Sequence, residues 1–232
     1  MEPLKVSLLN APTPADWWGV KQRALVTIGK EPVKEPDSDW KHAILEARHS
    51  PIRYLRYSFL IENVPSWVSV HLCRHVHAQP YVKSQRNDRQ NEYDRNKAPQ
   101  DSPVTMIFDV NAEELMVIAN KRLCSKASPE TRSVVRAMCK LAQTVTPELE
   151  GLLVPYCTYN GVCHELNGCG LDRQNRDMGV SSASMWEKHK AMERCAIESD
   201  IATNKIAEML HSEETMLRKQ QEEGAMPDEP TC

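Results

Sequence analysis

The apolar positions of this chain fall into short runs whose spacing sorts them into strands and helices. Residues 5–9 alternate apolar with polar and read as a first strand, ended by Pro12 and Pro14. Over 15–28 the residues Trp17, Trp18, Val20, Ala24, Leu25 and Ile28 recur at helical spacing, and Gly29 suits a helix stop. The charged, Pro-rich stretch 31–36 reads as a loop. Asp37 or Ser38 can cap a helix over 39–47 with Trp40, Ala43, Ile44 and Ala47 on its apolar face. Residues 53–64 hold Tyr54, Leu55, Tyr57, Phe59, Leu60 and Ile61, the aromatic and β-branched enrichment of a principal strand. Pro65 ends it. A helix over 66–75 then buries Trp67, Val68, Val70 and Leu72 and delivers Arg74 and His75 at its C-terminal end.

A polar, loop-like run leads to Pro103, and 104–110 reads as another strand. Asn111 opens a helix with Leu115, Met116, Ile118, Ala119 and Leu123 on one face and Arg122 in its last turns. Ser128 as N-cap with Pro129 behind it opens a further helix through Val145. Residues 147–154 read as one more helix, and 157–170 as turn-rich. Residues 181–222 read as one long charged helix with a ragged apolar stripe, which has to pack on the domain or on a partner chain. The acidic, Pro-containing tail, 223–232, has the composition of a disordered segment. The class is therefore α/β (α+β), with a domain over 1–175 and helices flanking a mixed or antiparallel sheet.

Net charge changes the picture only by exclusion. At −3 it weighs against a general nucleic-acid or membrane-surface binder. No apolar run approaches a membrane span, and Met1-Glu2-Pro3-Leu4-Lys5-Val6 lacks a signal-peptide pattern, so a cytoplasmic protein is expected. The Cys residues are then reduced thiols or metal ligands. Cys157-x5-Cys163-x5-Cys169, joined by Cys124 or His164, has the donor set of a tetrahedral zinc site. The spacing is looser than a C-x2-C knuckle, and buried reduced thiols are the competing reading. Cys73, Cys139 and Cys195 fall on helices and read as packing residues.

Candidate chemistry concentrates in 71–89, where His71, Arg74, His75, His77, Lys83, Ser84, Gln85, Arg86 and Arg89 follow a buried element. Cationic and hydrogen-bonding groups so placed suit an anionic ligand such as phosphate, and a solvated polar loop is the alternative.

Four stretches, in order, resemble the flavin-dependent thymidylate synthase (ThyX) family. Ala24-Leu25-Val26-Thr27 is similar to the small-residue segment of its first helix, and His49-Ser50-Pro51 to its H-x-S/T-P-x-E-H stretch. Arg74-His75, with Ser84 ten residues after Arg74 and Arg86 two beyond, resembles R-H-R-x7-S. Asn111-Ala112, Arg122-Leu123, Ala127 and Glu130 resemble the N-A-R-S-L…L-R…A-Q-W-E helix pair. The Cys157…Cys169-Gly170 tail resembles that of many members. The chain departs from the family at Val76 (Arg there), Tyr81-Val82 (Asn-Glu), Arg53-Tyr54 (Glu-His) and Glu113 (Arg), and the segment 89–104 is shorter. The resemblance thus implies a divergent member with flavin and nucleotide contacts depleted or rebuilt.

It also implies an activity: reductive methylation at C5 of dUMP, with methylene-tetrahydrofolate, NADPH and FAD. Related C5 methylation or hydroxymethylation of another pyrimidine nucleotide, or non-catalytic nucleotide binding without flavin, are the alternatives. By carry-over, Ser50, Arg74, His75 and Asn111 would bind the cofactor, and His71, Ser84, Gln85, Arg86 and Arg122 the substrate. Arg122, His75 and Ser84 would carry the catalytic roles. The partners implied are a pyrimidine deoxynucleotide and the chain itself, as a homotetramer with sites built from several chains.

Overall fold

The computed structural model describes residues 3–86, 88, 94 and 96–171. The chain divides into two units, Met1–Ser182 and Ala183–Cys232, and the described residues all belong to the first. The helix expected over 181–222, the tail over 223–232 and Cys195 lie outside the described residues.

Four strands, β1 (Lys5–Asn10), β2 (Arg56–Pro65), β3 (Gln79–Val82) and β4 (Pro103–Asn111), form one sheet in the order β1-β2-β4-β3. Every neighbouring pair is antiparallel. Alternation builds the core. In β2, Tyr57, Phe59, Ile61 and Val64 point inward; in β4, Val104, Met106, Phe108 and Val110 do. The register sets these opposite one another as Tyr57↔Val110, Phe59↔Phe108, Ile61↔Met106 and Val64↔Val104. Each full burial of such a side chain stabilises by about 1.5–3 kcal/mol. Between Ile61 and Val64 the β2 strand carries one extra residue relative to β4. Asn63, at φ 57, absorbs it as a bulge, and so Val64 returns to the buried face.

Among the described residues the α-helices are α1 (Pro14–Val26), α2 (Ser38–Glu46), α3 (Ser66–Cys73), α4 (Ala112–Arg122), α5 (Pro129–Val145) and α6 (Tyr156–Asn160). In α5, Thr131, Val134, Val135, Met138, Cys139 and Ala142 recur at three- and four-residue steps and are buried against the sheet side and α4. The Tyr57 hydroxyl reaches the end of α5, donating to Thr146 Oγ1 at 2.9 Å, and burial raises its pKa.

Three segments differ from expectation. The stretch 53–64 begins as a 3-10 turn, Ser50–Tyr54, because Pro51 favours a helical start, and the strand follows. Of 147–154 only Pro147–Leu149 is helical, as a 3-10 turn; Gly151, at φ 76, turns the chain away. The polar run after His75 contains β3, whose Pro80 is tolerated because an edge strand can leave an N–H position empty. Cys73 is exposed rather than packed, whereas Cys139 is buried and its thiol is pushed up to about 12 by burial.

Candidate active site

The site forms where α3 and α4 meet. Arg74 caps the C-terminus of α3 and is exposed, and His75, the next residue, turns into the protein and is buried. Asn111 caps α4 through its side chain, accepting from the Glu114 N–H at 2.9 Å. Glu114 therefore lies in the first turn of α4, where the helix dipole favours a carboxylate, and Arg122 lies in the last, where it favours a cation. Eight residues separate them, about 12 Å of helix rise on nearly the same face. The His75 imidazole fills the space between their side chains.

The hydrogen bonds assign its protons. Arg122 Nε donates to His75 Nε2 at 3.1 Å, and a guanidinium N–H can only donate. Nε2 is thus the acceptor, and the proton on Nδ1 is donated to Glu114 Oε1, 3.1 Å away. Arg122 also donates from Nη2 to the His71 carbonyl at 3.0 Å. Nη1 has no protein partner among the described residues, and the guanidinium lines a cleft of about 690 Å³.

That cleft is cationic. Arg74, Lys121, Arg122 and Lys126 line it, against a single carboxylate, Glu165. Arg122 titrates below the usual guanidinium range, first because burial strips its water and second because Arg74 is near. It still stays charged at any physiological pH. A half-buried cation with a second cation beside it makes an anion favourable between them. The wall behind is braced: Asn120 donates to the Val154 carbonyl at 2.7 Å and accepts from Arg48, whose guanidinium lies 4.3 Å above the Tyr159 ring.

The other expected site residues are placed apart from this cleft. His71 directs its ring to Thr131 Oγ1, 3.1 Å away, with its edge to Trp67. Ser84 Oγ accepts from the Arg86 N–H at 3.3 Å, Arg86 forks onto Asp88 at 2.6 and 2.9 Å, and Gln85 reaches Ser66 Oγ at 3.3 Å. Ser66 opens α3 and Arg74 caps it, so the 84–86 segment and His75 sit at opposite ends of a helix about 12 Å long. Ser50 is exposed in its 3-10 turn, and the Asn111 side chain is occupied as a cap.

Cys124, Cys157 and Cys163 line the same cleft. Burial raises the Cys157 thiol, and proximity to Cys163, Cys124 and Cys169 raises it further. Cys169 is exposed and lowered, by a hydrogen bond with Ser125. Among the described residues, no three His, Cys, Asp or Glu side chains are grouped so as to hold a metal ion. The four thiols therefore share a neighbourhood without forming a tetrahedral set.

The model of the thymidylate synthase complementing protein family matches residues 87–148, which include Asn111, Glu114 and Arg122. In three dimensions the chain aligns with Helicobacter pylori thymidylate synthase X, solved with FAD and dUMP. The TM-score is 0.51 at 14% identity, over 65% of this chain and 97% of that one. A second Helicobacter pylori structure of that enzyme, also with FAD and dUMP, gives 0.51 at 17% identity, over 64% and 99%. This is the ThyX fold. The family match falls on the β4–α4–α5 part of this fold, and the fold is the one that the motifs' resemblance implied. PolB, a UMP/dUMP methylase from Streptomyces cacaoi solved with 5-Br dUMP, aligns at 0.51 and 13% identity, over 63% of this chain and 92% of that one. Among curated proteins, none matches the chain by sequence.

Two departures from the ThyX pattern meet in space. Arg53, where the family has Glu, and Glu113, where it has Arg, form a forked ion pair between the 3-10 turn and α4. The exchange of charge at one position is thus matched at the other. Sequence reasoning missed Glu114, Lys121 and Lys126. Glu114 carried a usable signal: it sits eight residues before Arg122, on the same helical face, in a first turn that Asn111 caps.

Proposed function

We propose that this ThyX-fold chain is a flavin-dependent methyltransferase of the thymidylate synthase type. It binds dUMP and adds a carbon derived from methylene-tetrahydrofolate to C5 of the base, with FAD and NADPH as the reducing system. The observation that supports this best is the Arg122 guanidinium, held by His75 and the His71 carbonyl at the wall of a cationic cleft, with Nη1 left without a protein partner among the described residues.

A donor so held is suited to a pyrimidine carbonyl oxygen. A base activated for attack through C5 carries negative charge on that oxygen as an enolate, and a fixed guanidinium stabilises it without reorganising. Arg74, Lys121 and Lys126 suit phosphate groups, so the residues present fit a phosphate-bearing cofactor such as FAD. FAD, when bound, would supply the reducing equivalents for the transferred carbon. Ser84, Gln85 and Arg86 would hold the nucleotide phosphate, with Arg86 turning from Asp88 to the ligand. Since α3 separates that segment from Arg122 within one chain, the reading places the two halves of a site on different chains of a homotetramer.

One observation favours a second reading. His71 stands where the family has a substrate-contacting Gln, and its ring is bonded to Thr131. Base recognition would then differ, and a pyrimidine nucleotide other than dUMP would be the substrate. Titration of the purified chain with FAD and then with dUMP, UMP or dCMP tests both. A flavin-coloured protein that binds dUMP most tightly supports the first reading, and preference for another pyrimidine supports the second. A colourless protein that takes up neither FAD nor any pyrimidine nucleotide overturns both.

A further inference from the structure

We infer that Glu114 is a positioning residue of this site: through the His75 imidazole it fixes the orientation of the Arg122 guanidinium. The inference rests on the proposed function for what Arg122 touches, but its geometry is independent of it. Glu114 and His75 are both buried, at 6% exposure each, so neither has solvent as an alternative partner. Free imidazole exchanges readily between its two neutral tautomers. Only one of them serves Arg122, the form with Nε2 bare, because Nε–H needs an acceptor there. The carboxylate 3.1 Å from Nδ1 selects that form by accepting its proton. Without the carboxylate the proton can move to Nε2. It would then face the Nε–H of Arg122, and the guanidinium would lose one of its two anchors.

The chain of contacts crosses 39 residues between His75 and Glu114 and 47 between His75 and Arg122. It also closes a loop of constraints. Glu114 and Arg122 stand on one rigid helix, so the imidazole between them sets the guanidinium relative to the axis of α4. The remaining anchor, the His71 carbonyl, belongs to α3 and takes an N–H of Nη2. With both in place, Nη1 is the edge left to a ligand, and one direction of approach is favoured. Orientation of this kind acts on binding and turnover through Arg122 alone. The consequence is a coupling: whatever Glu114 contributes must vanish when Arg122 is gone.

Two measurements on the full chain test this. Nitrogen NMR of the 15N-histidine-labelled protein should show His75 as the Nδ1–H tautomer, and a Glu114→Gln variant should show a mixture. In dUMP titrations, Glu114→Gln should weaken binding about five-fold, the difference between a charged and a neutral acceptor. The same substitution in an Arg122→Ala background should leave the dissociation constant unchanged. An Nε2–H tautomer in the unaltered protein overturns the inference, and so does an equal loss of dUMP affinity in both backgrounds. If the unaltered protein binds no pyrimidine nucleotide, the proposed function fails, and the tautomer still decides the role of Glu114.

Discussion

Replacing His75 with Leu should destabilise the domain strongly, and the reason lies in what the substitution leaves behind. The Glu114 side chain is 7% exposed and the His75 side chain 5%. Leu fills similar volume but donates nothing, so the carboxylate stays buried with only the first turn of α4 to stabilise it. Stranding a buried charge by removing its partner costs about 3–5 kcal/mol. The helix N-terminus offsets about 0.3–1 kcal/mol of that. A net loss of roughly 2–4 kcal/mol in a chain of this length lowers Tm by roughly 5–15 °C. Thermal unfolding followed by circular dichroism reads the shift directly. The decisive comparison is His75→Leu with Glu114→Met added. With the charge gone the pair becomes apolar packing, and most of the lost Tm should return. A double variant as unstable as the sum of the two single ones would refute the argument, because it would mean that packing, not a stranded carboxylate, sets the cost.

Arg122→Ala should raise the dissociation constant of dUMP by about 10- to 100-fold, the effect of one charge-assisted hydrogen bond, while leaving Tm near its original value; calorimetric titration giving an unchanged constant removes Arg122 from the site. At the bulge, Asn63→Val should cost about 1–2 kcal/mol because φ 57 crowds a β-branched side chain, whereas Asn63→Gly should be close to neutral; equal denaturant midpoints for the two would contradict the bulge account. Among the described thiols, alkylation near neutral pH should reach Cys169 first, since that thiol is exposed and lowered by Ser125, and should spare Cys139 in the folded protein. Peptide mass spectrometry showing Cys139 modified as fast as Cys169 would count against the packing of α5.

Most of the frame was legible because local rules and tertiary packing agree there. Ser128 and Pro129 mark the start of α5, and Asn111 marks that of α4, since capping chemistry is local in sequence. The alternation of β2 and β4 survives because one face of each is buried. β3 was hidden for the opposite reason: four residues with their side chains largely at the surface leave no alternation to read. The site was half legible. Arg74, His75 and Arg122 were singled out by motif spacing, and all three line one cleft. That His75 joins Glu114 to Arg122 depends on how α3 packs against the start and end of α4, and no spacing rule carries that. Likewise Ser84 and Arg86 follow closely on Arg74 in sequence, but the folding back of the chain along α3 sets them at its other end.

The central claim is C5 chemistry on a pyrimidine nucleotide, and the most direct measurement is the release of tritium from dUMP labelled at C5. The purified full chain would be incubated with FAD, NADPH and methylene-tetrahydrofolate. Release that requires FAD, yields a C5-methylated nucleotide and disappears in Arg122→Ala is the predicted result. Retention of the label by protein that has taken up both FAD and dUMP would contradict the account.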